Sequence, residues 1–314
     1  MDKESKIYVA GHKGLVGSAI VRALKNKGYK NIVGKTHQEL DLTNQALTRE
    51  FFKGERPEYV FLAAAKVGGI AANSKQPADF IMENELIQCN IIKNCYETNV
   101  RKLMFLGSSC IYPRICPQPM KEEYVLSGAF EETNEAYAIA KISGIKMCQY
   151  YNYQYGTRYI SVIPSNLYGP YDNFNQETSH VVPGLIRKMH EAKKMNSGSI
   201  EIWGTGSPVR DFMFVDDLAD ACVFLMENYD GREYINIGTG QGTSIKELAE
   251  IIKKVTGYNG ELVYDAGKPD GAPIRVLDIS KFEKTGWKHK VRLEDGLKLA
   301  YEFYMKEYDD IDCV

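Results

Sequence analysis

The sequence predicts an α/β protein built on a doubly wound parallel sheet, with a smaller α/β lobe toward the C-terminus. Three observations carry that expectation. Short β-branched runs alternate with longer stretches of helical apolar spacing through residues 6–164. A glycine triplet follows the first apolar run directly, and beyond Pro170 the alternation loosens into shorter segments. Strand and helix alternating at this pitch lay helices on both faces of a parallel sheet.

KIYVA (6–10) reads as a buried strand, and GLVGSAIVRALKNKG after it as a helix. NIVGK (31–35), YVFLAAA (59–65), KLMFLGSS (102–109) and YISVIP (159–164) read as further buried strands. ADFIMENELIQCNIIKNCYETN (78–99) and NEAYAIAKISGIKMCQYYNYQYG (134–156) read as long helices. After Pro170 come a polar loop YDNFNQETSH, a helix near 181–195 and short strands around SIEIWG and VRDFMFV. A strand-like YINIGTG and a helix SIKELAEIIKKVTG follow. Residues 1–169, joined by about 213–237, are expected to form a Rossmann-type nucleotide-binding domain. Residues 170–212 and 238–314 are expected to form a substrate-binding lobe over the sheet's C-terminal edge, where open α/β sheets bind ligands.

The charges nearly cancel, 39 basic against 41 acidic, which speaks against nucleic acid as a partner. No apolar run reaches the roughly 18 residues of a membrane span, and the polar MDKESK leads directly into a strand, so no signal peptide or membrane partner is expected. Seven scattered cysteines without a C-x-x-C pair fit a reducing cytoplasm. Five histidines without carboxylate spacing give no metal site. Among them, His190 and His289 read as surface residues.

Gly11, Gly14 and Gly17 of AGHKGLVG stand behind the first strand and at a helix start. Such a loop provides a tight turn, close backbone approach to a pyrophosphate and an anion seat at the helix N-terminus. Lys13, Leu15 and Val16 complete it. A cofactor with a free ribose 2′-hydroxyl usually meets an Asp or Glu at the end of the second strand. That end reads Lys35-Thr36-His37, with no carboxylate, so Lys13 and His37 are expected to face a 2′-phosphate and the cofactor is expected to be NADPH/NADP. Asp41 and Leu42 suit the adenine, and Ala63, Ala64 and Lys66 of LAAAK the middle of the cofactor.

Tyr137 and Lys141 sit four apart on a predicted helix, hence on one face. An ammonium beside a phenol favours the phenolate, so the tyrosine can serve as an acid-base group. A second such pair, Tyr264 and Lys268, precedes Pro and Gly and cannot share a helical face. In GSSCIYPR, at the end of the fourth strand, Ser108 lies 29 positions before Tyr137 and Cys110 follows it by two. Free cysteine usually packs as a small, inert hydrophobe, which is the reading for Cys89, Cys95, Cys148 and Cys222. At a strand end facing a cofactor, however, a thiolate is also a usable base near neutral pH.

The glycine loop, strand-end serine and Tyr-x-x-x-Lys resemble the extended short-chain dehydrogenases/reductases. LAAAKVGGI, LGSSCIYP, EAYAIAKI, SNLYGPYDNF, SHVVPGLI, GTGSPVRDFMFVDD and KPDGAP are similar, almost end to end, to the GDP-L-fucose synthase family. Its members are epimerase-reductases of GDP-4-keto-6-deoxy-mannose. The resemblance implies that Ser108, Tyr137 and Lys141 are the reductase triad and that Cys110 and His180 are the epimerisation pair. It implies that Trp203, Arg210 and Asp270 hold the substrate, joined by Ser109 and Asn166. Lys188 stands where the family commonly carries an arginine for the nucleotide sugar, and Lys13 and His37 replace arginines near the 2′-phosphate; lysine keeps the charge but loses the bidentate fork. Leu106, Gly107, Ser109, Pro164, Ser165, Asn166 and Leu167 are implied to line the cofactor with His180. A homodimer through the helices at 77–98 and 134–156 is implied likewise.

The implied chemistry explains a cysteine in this loop. A ketone at C4 acidifies the hydrogens at C3 and C5, and inversion takes a base on one face and an acid on the other. The enolate oxygen is then held by Tyr137 and Ser108. Rival readings are a reductase or epimerase-reductase of another GDP-4-keto sugar, such as a deoxy or heptose derivative, and a nucleotide-sugar 4-epimerase or 4,6-dehydratase. The absent acid beside Ser109-Cys110 speaks against the dehydratase. Retention of Tyr137 and Lys141 speaks against a nucleotide-sensing binding module.

Overall fold

An unbroken apolar run leaves neither face of a strand for water, and Ile7–Ala10 (β1) is accordingly buried at all four positions. In chain order there follow α1 (Leu15–Asn26), β2 (Ile32–Val33), α2 (Gln45–Glu55), β3 (Tyr59–Leu62), α3 (Ile70–Lys75), α4 (Pro77–Glu97), β4 (Lys102–Leu106), α5 (Glu135–Tyr155) and β5 (Tyr159–Pro164). Then come β6 (Asn166–Tyr168), α6 (Val181–Lys194), β7 (Ser199–Trp203), β8 (Val209–Arg210), β9 (Phe212–Phe214), α7 (Val215–Asn228) and β10 (Ile235–Ile237). The chain closes with β11 (Thr243–Ser244), α8 (Ile245–Thr256), β12 (Glu261–Asp265), β13 (Ile274–Arg275), α9 (Ser280–Glu283) and α10 (Leu293–Tyr308). This computed structural model describes residues 1–308 except 177 and 269.

Six strands form one parallel sheet in the order β10-β5-β4-β3-β1-β2. The order reverses between β1 and β3, and the loops leaving their C-terminal ends open the crevice in which such sheets bind ligands. One face packs Tyr8, Leu62, Phe105, Ile91 and Ile145 under α2, α4 and α5. The other packs Ile7, Val9, Leu24, Leu218 and Cys222 under α1 and α7. A third core joins α6, α8 and α10 around Ile186, Ile252 and Tyr304.

Several expectations are corrected. The second strand stops at Val33, and Gly34 just beyond it lies so close to the His12 ring that a Cβ there would come within 2.4 Å of it. VRDFMFV is two strands, β8 and β9, broken at Asp211. Its buried carboxylate accepts hydrogen bonds from Thr239 N, Thr239 Oγ1 and Gly240 N, and the chain changes sheet there. His190 is buried rather than on the surface, its Nδ1 3.0 Å from Tyr301 Oη. Cys89 is exposed on α4, whereas Cys95, Cys148 and Cys222 are buried. Among the described residues no helix is long and apolar enough to cross a membrane.

Candidate active site

The glycine loop follows β1, and Gly14 caps α1 with no side-chain hydrogen bond and no acidic residue in the first turn. The first amides of α1 therefore keep their donors free for an anion. Gly11 has φ +81°, and a Cβ there would come within 2.8 Å of Ala64 N. A Cβ on Gly17 would come within 2.0 Å of Gly11 O, so this turn tolerates no side chain at either position. At Gly14 a Cβ would meet only Gly11 O, at 3.6 Å, and the open side is room for a phosphate. The loop thus fits a dinucleotide pyrophosphate by its own geometry.

Lys13 in the glycine loop and His37 beyond β2 are both exposed, and His37 Nδ1 lies 3.8 Å from Asp41 Oδ1. Lys35-Thr36-His37 itself carries no carboxylate, and the first one beyond it is engaged by the turn. Glu39 turns back so that Thr36 N and Thr36 Oγ1 both donate to its Oε2 at 2.7 Å. Those two bonds, aided by the charges of Lys35 and Lys13, hold its pKa low. Asp41 Oδ1 likewise accepts from Thr43 N at 2.9 Å and Thr43 Oγ1 at 2.7 Å. The carbonyl of Leu42 accepts from Asn90 Nδ2. Lys66 pairs with Glu83 on α4, and its backbone N–H donates to Asn84 Oδ1.

The chain leaves β4 at buried Leu106, and Gly107 N donates to Val162 O at 2.8 Å. Ser108 then caps the short 3₁₀ turn Ser109–Ile111, its hydroxyl accepting from Cys110 N at 3.4 Å. That cap sets hydroxyl and thiol on one turn. Lys141 comes from α5, where its buried Nζ donates to Leu106 O at 2.9 Å and lies 5.6 Å from the Tyr137 ring centroid. Cys110 is buried in the core against which the Tyr137 ring packs, so thiol, Ser108 hydroxyl and phenol share one end of the crevice.

Burial governs the proton affinities here. It pushes the Tyr137 hydroxyl well up, with the neighbouring Cys110 adding to the rise and Ser108 opposing it. The phenolate-favouring effect expected of Lys141 is outweighed, because the ammonium is directed to Leu106 O and is itself lowered by burial to about 8. Burial also raises the Cys110 thiol, opposed by the Ser108 contact and the charges of Arg275 and Lys141. His180 is the N-cap residue of α6, open to solvent on one side and hemmed in by protein on the other, and that crowding lowers its pKa. Its neighbour Ser179 O lies within 3.3 Å of where a Cβ on Gly69 would be, so this loop rests beside the one leaving β3.

At the far end of the crevice, Pro164 closes β5 and Ser165 N donates to Ile237 O. Asn166 Nδ2 donates to Asp211 O at 3.0 Å, and Leu167 follows on β6. Trp203 ends β7 and is exposed, with Lys268 Nζ 5.5 Å above its ring. Exposed Asp270 accepts from Thr205 N and Thr205 Oγ1, which fastens the loop after Trp203. Lys188 of α6 donates to Glu201 O on β7. Arg210 is lowered to about 10, mostly by burial and next by Arg275, its cross-strand partner on β13. Sequence reasoning missed Arg275, whose only local signal is a charge in an otherwise apolar stretch. Among the described residues no group of three His, Cys, Asp or Glu side chains could hold a metal ion.

Acid-base side chains gathered beside an anion-seating loop, at the switch point of a Rossmann sheet, define a short-chain-type oxidoreductase that works on a nicotinamide dinucleotide. The chain belongs to the NAD dependent epimerase/dehydratase family, whose model matches residues 7–238. It is 57% identical over 305 residues to GDP-L-fucose synthase 1 of Arabidopsis thaliana, covering 97% of this chain and 94% of that protein. A solved GDP-6-OMe-4-keto-L-xylo-heptose reductase from Campylobacter jejuni is 44% identical with a TM-score of 0.93, over 98% and 99% of the two chains. A GDP-L-fucose synthetase from Naegleria fowleri, solved bound to NADP, is 28% identical with a TM-score of 0.91, over 98% and 96%.

Proposed function

We propose that this protein converts GDP-4-keto-6-deoxy-D-mannose to GDP-L-fucose by 3,5-epimerisation and NADPH-dependent 4-reduction. The observation that carries the reading is buried Cys110 on the turn that Ser108 caps, in the core against which Tyr137 packs. Reduction alone needs a proton donor, whereas inversion at C3 and C5 needs a base as well. The placement of a thiol against the reductase hydroxyls supports both half-reactions.

Residues 1–169 with about 213–237 would hold the cofactor, and 170–212 with 238–314 the GDP-sugar. Gly11, Gly14 and Gly17 seat the pyrophosphate, Lys13 and His37 meet the 2′-phosphate, and Lys141 steadies the nicotinamide end. Bound NADPH supplies the hydride for C4. Cys110 removes the proton from C3, releases it to solvent while His180 regains one, and then removes the proton from C5; Ser108 and Tyr137 hold the enolate oxygen. Tyr137, kept protonated by burial, gives its proton to the C4 oxygen. His180 returns a proton on the opposite face; its lowered pKa makes its imidazolium a stronger acid. With the thiol raised and the imidazole lowered, the neutral pair is the main form at neutral pH. The thiolate–imidazolium pair holds the same number of protons, so the active fraction is small but level between the two pKa values.

Trp203, Arg210, Asp270 and Lys188 would hold the nucleotide. The outward faces of α4 and α5 expose Met82, Leu86 and Tyr96, and Ile139, Tyr150 and Tyr153, which supports a homodimer through these helices. The six described cysteines are free thiols, in keeping with a cytoplasmic enzyme. The Campylobacter jejuni relative supports a second reading, 4-reduction of a GDP-4-keto-heptose without inversion. NMR of the product formed from GDP-4-keto-6-deoxy-D-mannose and NADPH in heavy water decides. An L-configured product carrying deuterium at C3 and C5 is expected, and an undeuterated D-hexose would favour the second reading.

A further inference from the structure

Cys110 has to ionise in surroundings that oppose ionisation, and the structure supplies one cation whose place is otherwise unexplained. Arg275 stands on β13, far along the chain from the thiol. Its Nη1 donates at 3.1 Å to the carbonyl of Ser109, the residue just before Cys110 in the 3₁₀ turn. Its Nη2 is buried and makes no hydrogen bond. A guanidinium carries five donors in a rigid fork, and leaving one in the interior unpaired is costly. The strand itself holds the side chain here. β13 pairs with β8 in parallel, Arg275 beside Arg210, so the two like charges are pressed together. An anion forming at the turn would give the unpaired Nη2 a partner and offset the like charges.

We propose that Arg275 is a positioning residue for epimerisation, fixing the Cys110 turn through the Ser109 carbonyl and holding a permanent positive charge where the thiolate forms. The inference rests on Cys110 as the epimerisation base. The other groups facing the thiol are Ser108, Tyr137 and Lys141. Ser108 stabilises the anion by hydrogen bonding, and Tyr137 remains neutral. Lys141 is lowered to about 8, so its charge fades in the alkaline range where thiols titrate. Arg275 is the remaining cation facing the thiol.

The test uses Arg275→Gln and Arg275→Lys in the full-length protein. Thiolate absorbance at 240 nm is titrated against Cys110→Ser, so that the difference isolates one thiol. Arg275→Gln should move that titration to higher pH, and Arg275→Lys should largely restore it. In parallel, deuterium uptake from heavy water at C3 and C5 should fall about tenfold or more in Arg275→Gln at neutral pH. Its alkaline limb should move up while 4-reduction of the un-epimerised keto sugar is kept. An unmoved thiol titration in both variants overturns the proposal. So does a raised KM for the GDP-sugar with an unchanged titration, which would make Arg275 a ligand of the diphosphate. A shifted titration with undiminished deuterium uptake leaves Arg275 acting on the thiol and instead defeats the reading of Cys110 as the base.

Discussion

Lys141 Nζ donates to the carbonyl of Leu106 at 2.9 Å and so ties α5 to the last residue of β4. The bond locks the helix carrying Tyr137 to the strand that ends in Ser108, and it buries an ammonium to do so.

That burial has a pH signature. The group titrates at about 8 in the folded protein and near 10.4 when unfolded. Between those values the unfolded chain binds more protons, so this lysine's contribution makes stability rise with pH. Below pH 8 the buried charge is a burden that Lys141→Met removes. The ligand-free wild type should therefore gain on the methionine variant by up to about 3 kcal/mol between pH 7.5 and 10.5, read from urea midpoints. Parallel curves would show that the lysine keeps its ordinary pKa.

Cofactor choice turns on the corner beyond β2. NADPH should exceed NADH in kcat/KM by at least about tenfold, or roughly 1.4 kcal/mol. Lys13→Ala should erode that ratio through NADPH alone. Glu39→Gln, which removes a negative neighbour of Lys13, should move it the other way. Equal use of both cofactors by the wild type would contradict the assignment.

Tyr137→Phe keeps the ring and removes the proton donor. Steady-state reduction should drop by at least about a hundredfold, while NADPH titration by fluorescence should be nearly unchanged. Normal turnover would place the donor elsewhere.

In Cys110→Ser the hydroxyl is too weakly acidic to remove a carbon-bound proton, but Ser108, Tyr137 and Lys141 remain. The variant should reduce the un-epimerised keto sugar slowly to a 6-deoxy-D-hexose, with no deuterium entering C3 or C5 from heavy water. An L-configured, deuterated product would mean the thiol only packs.

Met82 and Tyr153 stand out from α4 and α5, 60% and 85% exposed. A charge in a dimer seam is poorly tolerated, so Met82→Glu with Tyr153→Glu should sediment as a monomer and retain cofactor binding. A wild type that already sediments as a monomer defeats the proposed seam.

Local patterning made much of this fold legible. β1, α1, α4 and α5 fall within a few residues of where strand runs and helical spacing put them, because each carries its own apolar signature. α2 escaped notice because only Thr48 and Phe52 are buried along it, too few to mark a face. α7 is buried on most sides, so it lacks the polar stripe that betrays a helix. At the site, the glycine loop and the Tyr137–Lys141 pair were legible because their chemistry is local in sequence. Glu39 went unnoticed because it lies past the strand end, and only the turn at Thr36 brings its carboxylate back to Thr36 N. Arg275 meets Ser109 across 166 residues, a contact no spacing announces. The proton affinities were illegible for the same reason, since burial belongs to the assembled fold.

The origin of the guanidinium beside the thiol also bears on synthesis. Residues emerging first bring the glycine loop, then Ser108 and Cys110, then Tyr137 and Lys141. β13, two residues long, emerges after all of them and takes its place only against β8. A chain still on the ribosome short of residue 275 thus already carries every group that reduction uses, with its cysteine lacking a permanent counter-charge. A nascent thiol outside the folded crevice is spared the desolvation that raises it in the finished protein, so the counter-charge is needed only from the moment folding buries the turn.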